Sequence, residues 1–243
     1  MKPRILYFDT ETAPVRAWIW RVGNKIRISH EQIFDGDKFD IICICWKWAG
    51  EKKVYSLNWD IKKQDSSSMI KTFTKVIESA DIIIGHNGDN FDLKQINTQR
   101  LMHKQNPISW PTTEDTLKQF RRHFAFPSFK LDYLAKTLLG TGKDPMSFQD
   151  WIDIVQYKDP KALAKMIKYC AKDVRMLEGI FNRASKHFTP KAHMGLIIDN
   201  GRDSCPRCGS RESLSKGHRY LASAKYKRRQ CKKCGTQYRG VKV

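Results

Sequence analysis

Apolar residues come in short separated runs in the first half of the chain and at helical spacing in the second, so strands are predicted first and helices later. Ile5 to Phe8 reads as a strand. Ile41 to Trp48 and Lys53 to Ser56 read as two more, joined by Ala49-Gly50-Glu51-Lys52, which suits a hairpin turn. Ile82 to Gly85 is a fourth, and Thr112 to Glu114 a weakly marked fifth. Met69, Ile70, Phe73, Val76 and Ile77 share one face of a helix predicted over Ser67 to Ala80, and further helices are predicted over Phe91 to Lys104, Asp115 to Phe124 and Leu131 to Leu139. The longest opens at Asp159-Pro160, an N-cap followed by proline at the first helical position, and runs to about Phe188.

The pattern lapses in two places. Trp18, Trp20 and the following VGNKIRISHEQI carry little periodicity, and read equally as a cleft-flanking loop whose rings stack on bases or as rings packed onto the domain. Helical character ends at Pro190 and turn formers gather near Asn200-Gly201, which sets a boundary between a domain of residues 1–199 and a module of residues 200–243.

Charge sharpens that division. The 243 residues carry a formal +20, and the last 44 hold thirteen Lys and Arg against Asp203 and Glu212, a net +11. A polyanion, nucleic acid first, is the partner this balance implies. Met1-Lys2-Pro3 leads straight into an acidic motif with no leader pattern, and no apolar run is long enough to span a bilayer, so a cytoplasmic protein without membrane attachment is expected.

Acids collect where the predicted strands end. Asp9 and Glu11, in YFDTET, are two apart on a strand and share a face. Asp92 closes GHNGDNFD, while Tyr169 and Asp173, in YCAKDV, are one turn apart on the longest helix, at the margin of its apolar stripe. Carboxylates held together repel unless divalent cations lie between them, and oxygen ligands suit Mg²⁺ or Mn²⁺. Two such cations about 4 Å apart would activate a water and stabilise a departing 3′-oxygen. The set therefore describes a two-metal nuclease centre. Taken singly, each motif is weak, since Asp-x-Glu and a helical Tyr/Asp pair are common.

In combination the motifs resemble those of DEDD-type 3′–5′ exonucleases of the tyrosine subclass, and in particular the proofreading domain of family B DNA polymerases. FDTET is similar to the first motif, Asn87-Gly-Asp-Asn-Phe91-Asp92 to the second and Tyr169-Cys-Ala-Lys-Asp173 to the third, over roughly residues 1–190 with no polymerase domain following. Asp115-Thr-Leu and Lys130-Leu-Asp-Tyr-Leu-Ala resemble the region between the second and third motifs. The resemblance implies a ribonuclease H-like α/β fold, a mixed five-stranded sheet flanked by helices. It implies that Asp9 bridges two cations, that Glu11 and Asp173 complete one site and Asp92 the other, and that Tyr169 orients the attacking water. It further implies nucleotide contacts from Thr12, Asn87 and Phe91, and a lysine, Lys143, near the scissile phosphate. Each also has a plain reading: Phe91 as core, Asn87 as a turn, Lys143 as a solvated charge. The family's Ser/Thr-Leu element is altered here, because Lys130 precedes Leu131. His86 reads as a packing residue.

Seven cysteines fall into two groups. Cys43, Cys45 and Cys170 read as small core residues. Cys205-Pro-Arg-Cys208-Gly209 and Cys231-Lys-Lys-Cys234-Gly235 repeat one C-x₂-C-G pattern with 22 residues between. Two such knuckles supply four thiolates for one structural Zn²⁺, a pattern that resembles a zinc ribbon with an intervening hairpin. His218 is a competing ligand, though four cysteines suffice. Tyr226 and Arg228 stand among basic and aromatic residues that suit phosphate neutralisation and base stacking.

The expectation is a free-standing 3′–5′ exonuclease with two catalytic Mg²⁺ or Mn²⁺ and one structural Zn²⁺, acting on DNA in preference to RNA. Such a format fits phage or mobile-element replication or repair, in the host cytoplasm and beside replication or repair proteins. An exoribonuclease, a structure-specific endonuclease and an inactive nucleic-acid-binding or recruitment protein are the competing readings.

Overall fold

The computed structural model describes residues 3–23 and 25–243; Met1 and Lys2, part of the leader reading, and Asn24, part of the tryptophan segment, lie outside them. A mixed five-stranded sheet has the order β3-β2-β1-β4-β5, with β1 Ile5–Thr12 at its centre, β2 Ile41–Trp48 and β3 Tyr55–Asn58 on one side, and β4 Ile82–Gly85 and β5 Thr112–Asp115 on the other. β2 runs antiparallel to β1 and β3, whereas β4 is parallel to β1 and β5. This is the ribonuclease H-like sheet expected from the sequence.

Side-chain alternation along β1 assigns its two faces. Phe8 packs against Phe73 of α1 (Ser67–Glu78), and Tyr7 against Phe181 of the long helix α6 (Pro160–Ala184). α2 (Asp92–Met102) and α3 (Thr116–His123) follow β4 and β5, and α4 (Leu131–Leu139) and α5 (Phe148–Val155) pack on α6. α6 starts as predicted: Asp159 accepts from the Lys161 amide at 2.8 Å and Pro160 fills the first turn.

Two expectations shift. β3 begins at Tyr55 rather than Lys53, because its register against β2, Trp46 opposite Tyr55, leaves Lys52 and Lys53 in the connection. The sequence reading passed over α5, although Ser147 and Asp150 form a reciprocal capping box at its start. Trp18 stacks on Phe34 with centroids 5.0 Å apart, and Trp20 is fully exposed. Trp18 is itself largely exposed and neither ring lines the acidic cleft.

After a short helix, α7 (Met194–Ile197), the chain builds a three-stranded antiparallel sheet of β6 (Ser213–Leu221), β7 (Ala224–Cys231) and β8 (Gln237–Lys242). Its buried apolar cluster holds only Cys205, Cys231 and Tyr238, with Cys208 and Cys234 packed on it. Arg207 reaches back from this module to Glu114 of β5 through two bonds of 3.1 and 2.9 Å, and its guanidinium lies over Phe181. Among the described residues no helix is long and apolar enough to cross a membrane.

Candidate active site

One cleft of about 740 Å³ opens where β1, α2 and α6 meet, and Asp9, Glu11, Asp92, Tyr169 and Asp173 all line it. Asp9 and Glu11 stand on the α6 side of β1. Between them Thr10 points the other way and donates to Asp92 Oδ1 from its hydroxyl at 2.6 Å and its amide at 3.0 Å. A single strand thus holds the acids of α2 and faces those of α6. Asp173, expected at a margin, is buried at 2 % exposure because α6 lies across β1 and β2.

Crowding sets the electrostatics. Burial, then the charges of Asp92, Asp173 and Glu11, raises the Asp9 carboxyl well above its ordinary range, with Lys143 opposing. Burial and Asp173 push Glu11 up to about 8. Asp92 rises to about 6 through burial, against the bonds from Thr10. Asp173 also rises to about 6 through burial, against Lys143. Four acids resisting ionisation in one cleft is the condition that added cations relieve.

Lys143 is the cation bonded among them. Its Nζ pairs with Asp173 and donates to the Tyr169 hydroxyl at 2.9 Å, and Asp132 Oδ1 holds its amide at 2.7 Å. The other Asp173 oxygen, Oδ1, is buried without a hydrogen-bond partner among the described residues. An unspent carboxylate oxygen in the cleft that Asp9 and Glu11 also line fits a divalent cation. Cys170, read as a plain core residue, is buried as expected but also donates from Sγ to the Asp9 carbonyl at 3.4 Å, and one ligand atom each of Asp9, Glu11 and Cys170 lies within 4.8 Å of the others.

Asn87 and Phe91 also line the cleft. Asn87 has φ 68°, in the left-handed region that asparagine tolerates, and Asp115 Oδ1 accepts from its amide at 3.0 Å while capping α3. Gly85 and Gly88 approach so closely in the same turn that a Cβ on Gly85 would sit 3.1 Å from the Gly88 Cα. His86 bonds Thr116 and the Phe129 carbonyl, both at 2.8 Å, and so belongs to the cleft wall. Lys130 and Asp132, both in the Lys130 to Ala135 stretch of the resemblance, line the cleft together with Arg121, which the sequence reading did not single out, whereas Thr12 is not among the lining residues. Arg121 carries no motif spacing by which to find it.

The four tail cysteines meet at the base of the small sheet, with Sγ separations of 3.6 Å for Cys205 and Cys234 and 3.5 Å for Cys208 and Cys231. These are far longer than a disulfide and near the edge of a zinc–thiolate tetrahedron, about 3.8 Å for 2.3 Å bonds. Gly209 and Gly235 take φ of 71° and 76°, as the knuckles require. The cluster is compatible with a zinc ribbon. Arg228 lines a second, basic cavity beside it, and Tyr226 lies under the Arg239 guanidinium at 4.4 Å.

Comparison with known proteins follows the fold. A family model described as the RNase_H superfamily matches residues 28–185, a span that contains Asp92, Tyr169 and Asp173 but not Asp9 or Glu11. Among solved structures, the family B DNA polymerase from the hyperthermophilic archaeon Pyrobaculum calidifontis is similar, with a TM-score of 0.58 at 15 % identity over 76 % of this chain. The chain spans about a quarter, 25 %, of that polymerase. No curated protein matches the sequence.

Proposed function

The chain belongs to the RNase H superfamily, and from that premise we propose that it is a metal-dependent 3′–5′ exonuclease that hydrolyses DNA to 5′-mononucleotides. The observation that carries the reading is the gathering of four carboxylates and Tyr169 in one cleft, with a buried Asp173 oxygen left unbonded.

In this reading Asp9, Glu11, Asp92 and Asp173 hold two Mg²⁺ or Mn²⁺ ions. When bound, these supply an activated water and stabilisation of the leaving oxygen. The chain's own groups do the rest. Tyr169 presents its hydroxyl to the attacking water and fixes its direction, a positioning role that needs no shifted pKa. Lys143, already bonded to Tyr169 and Asp173, brings positive charge to the phosphate and keeps the Tyr169 hydroxyl in place. Asn87 and Phe91 contact the terminal nucleotides. Residues 1–199 form the catalytic domain, and residues 200–243 a ribbon whose Zn²⁺, held by Cys205, Cys208, Cys231 and Cys234, is structural and whose Tyr226 and Arg228 grip the substrate.

Product mapping on 5′-end-labelled single-stranded DNA, with matched RNA and with Mg²⁺, Mn²⁺ or neither, tests the proposal. Wild type is expected to give a ladder that shortens from the 3′ end of DNA only with added cation, and Asp9→Ala none. Cleavage of end-blocked or circular DNA would overturn the exonuclease assignment, and faster loss of RNA the substrate.

A further inference from the structure

A second cavity, about 1000 Å³, lies between the nuclease domain and the small sheet. The domain contributes His123, Lys186 and His187 to one wall, and the sheet contributes Arg219, Arg228 and Arg239 to the other. Among the described residues no Asp or Glu lines it, in contrast to the acidic cleft.

One feature points to a bound anion. Arg228 of β7 and Arg239 of β8 stand directly opposite each other in the ladder, an unfavourable like-charge pair, and neither has a carboxylate partner among the described residues, whereas Arg229 is spent on Asp203 and Ser213. Phosphate oxygens between the two guanidinium groups satisfy that pair.

The groove and the acidic cleft are lined from different sides of the end of α3, since residues two apart on a helix do not face one another. Arg121 lines the cleft and His123 the groove, two residues apart at the end of α3, about 3 Å of helix rise. The exposed Arg122 lies between them. The cavity has the volume of a small-ligand pocket, which holds a short run of unpaired nucleotides and not a duplex.

We propose that this groove between the two modules binds a single-stranded stretch of nucleic acid continuous with the strand in the acidic cleft, its backbone passing between Arg228 and Arg239. The proposal rests on the nucleic-acid reading of the cleft, but it is tested by binding alone. In the full-length Asp9→Ala protein with zinc retained, fluorescence anisotropy is measured for a 16-nucleotide single strand, a tetranucleotide and a duplex of equal length, over a salt series. Adding Arg228→Ala, Arg239→Ala and Lys186→Ala is expected to weaken the 16-nucleotide strand roughly tenfold and to reduce the log–log salt slope by about 2, since three lost phosphate contacts count about 0.7 each. The tetranucleotide should change less. Lys52→Ala with Lys71→Ala and Lys75→Ala, three exposed lysines that line neither cavity, is the charge-matched control.

Equal losses in control and groove variants, an unchanged slope, or equal losses for both strand lengths would overturn the proposal. Tighter binding of the duplex would overturn its single-strand assignment. Groove-dependent binding by a wild type that hydrolyses nothing supports the groove while refuting the nuclease reading, so the two fail separately.

Discussion

Replacing Lys143 with Met keeps most of the apolar stem and removes the one ammonium that bonds Asp173. Asp173 is 2 % exposed and its carboxyl titrates at about 6 with that ammonium beside it, up from an ordinary 3.8. The loss has a ceiling, because the variant can protonate Asp173 instead of leaving a bare charge. For a group of pKa 6 that escape costs about 2.7 kcal/mol at pH 8 and on the order of 0.1 kcal/mol at pH 5. The sign follows: below about 6 the acid is already neutral in the folded state and Lys143 has little left to stabilise. At roughly 2–4 °C per kcal/mol for a chain of this size, Lys143→Met should lower Tm by at most about 5–10 °C at pH 8 and hardly at all at pH 5. Saturating Mn²⁺ should shrink the pH 8 difference, because the cation then neutralises the same carboxylate. Thermal unfolding at both pH values, with and without Mn²⁺ and with zinc retained, reads this directly. A Tm difference independent of pH, or one untouched by Mn²⁺, would refute the idea that Lys143 and a divalent cation serve the same carboxylate.

The raised acids also set a slope for the wild type. Asp9, Glu11, Asp92 and Asp173 all titrate above their ordinary range, so the stability they contribute is full below pH 4 and is lost as pH rises toward about 8; Tm measured without Mg²⁺ or Mn²⁺ should fall across that window, and Mn²⁺ should flatten the fall. Arg207→Met strands the buried Glu114 and should cost about 3–5 kcal/mol, with Glu114→Leu in the same chain restoring most of the Tm; a full loss in the double variant would show that the ion pair is not the cause. Elemental analysis should find one zinc per wild-type chain and less in Cys231→Ser, whose tail should lose its dispersed amide resonances and become protease-sensitive; a Cys231→Ser tail folded as in wild type would refute a metal-held module.

Strands and helices were legible where burial enforces a period. Leu131–Leu139 emerged with the bounds it has, because Leu131, Leu134 and Ala135 face the core and Gly140, at φ 71°, ends the helix in the left-handed region. The hairpin between the cysteine pairs was expected from their spacing, and β6 and β7 form it, but its strands carry no apolar pattern of their own. β6 is exposed from Leu214 to Leu221, so no alternation of apolar and polar positions betrays it, and only the cysteines that replace its core stood out. α5 was missed although its capping box, Ser147 with Asp150, is in the sequence.

The acids of the cleft were readable for a geometric reason that the fold makes explicit. Two-residue spacing on β1 puts Asp9 and Glu11 on one face in any register, and which face is fixed because Phe8 must meet Phe73 while Tyr7 meets Phe181. Slipping β1 by one residue would turn both acids toward α2 and Thr10 toward α6. Asp92 would then lose its two bonds from Thr10, and Asp173 its neighbours. The apolar residues of β1 therefore choose which side the acids occupy, and Thr10 ties Asp92 to that choice from the opposite face. What sequence spacing cannot carry is the layer behind them. Asp132 holding the Lys143 amide, Asp115 holding that of Asn87 and Cys170 reaching Asp9 all join residues whose separation along the chain follows no period. The acids of this site are set by strand and helix periodicity, and the groups that support them by contacts between elements that only the folded chain brings into place.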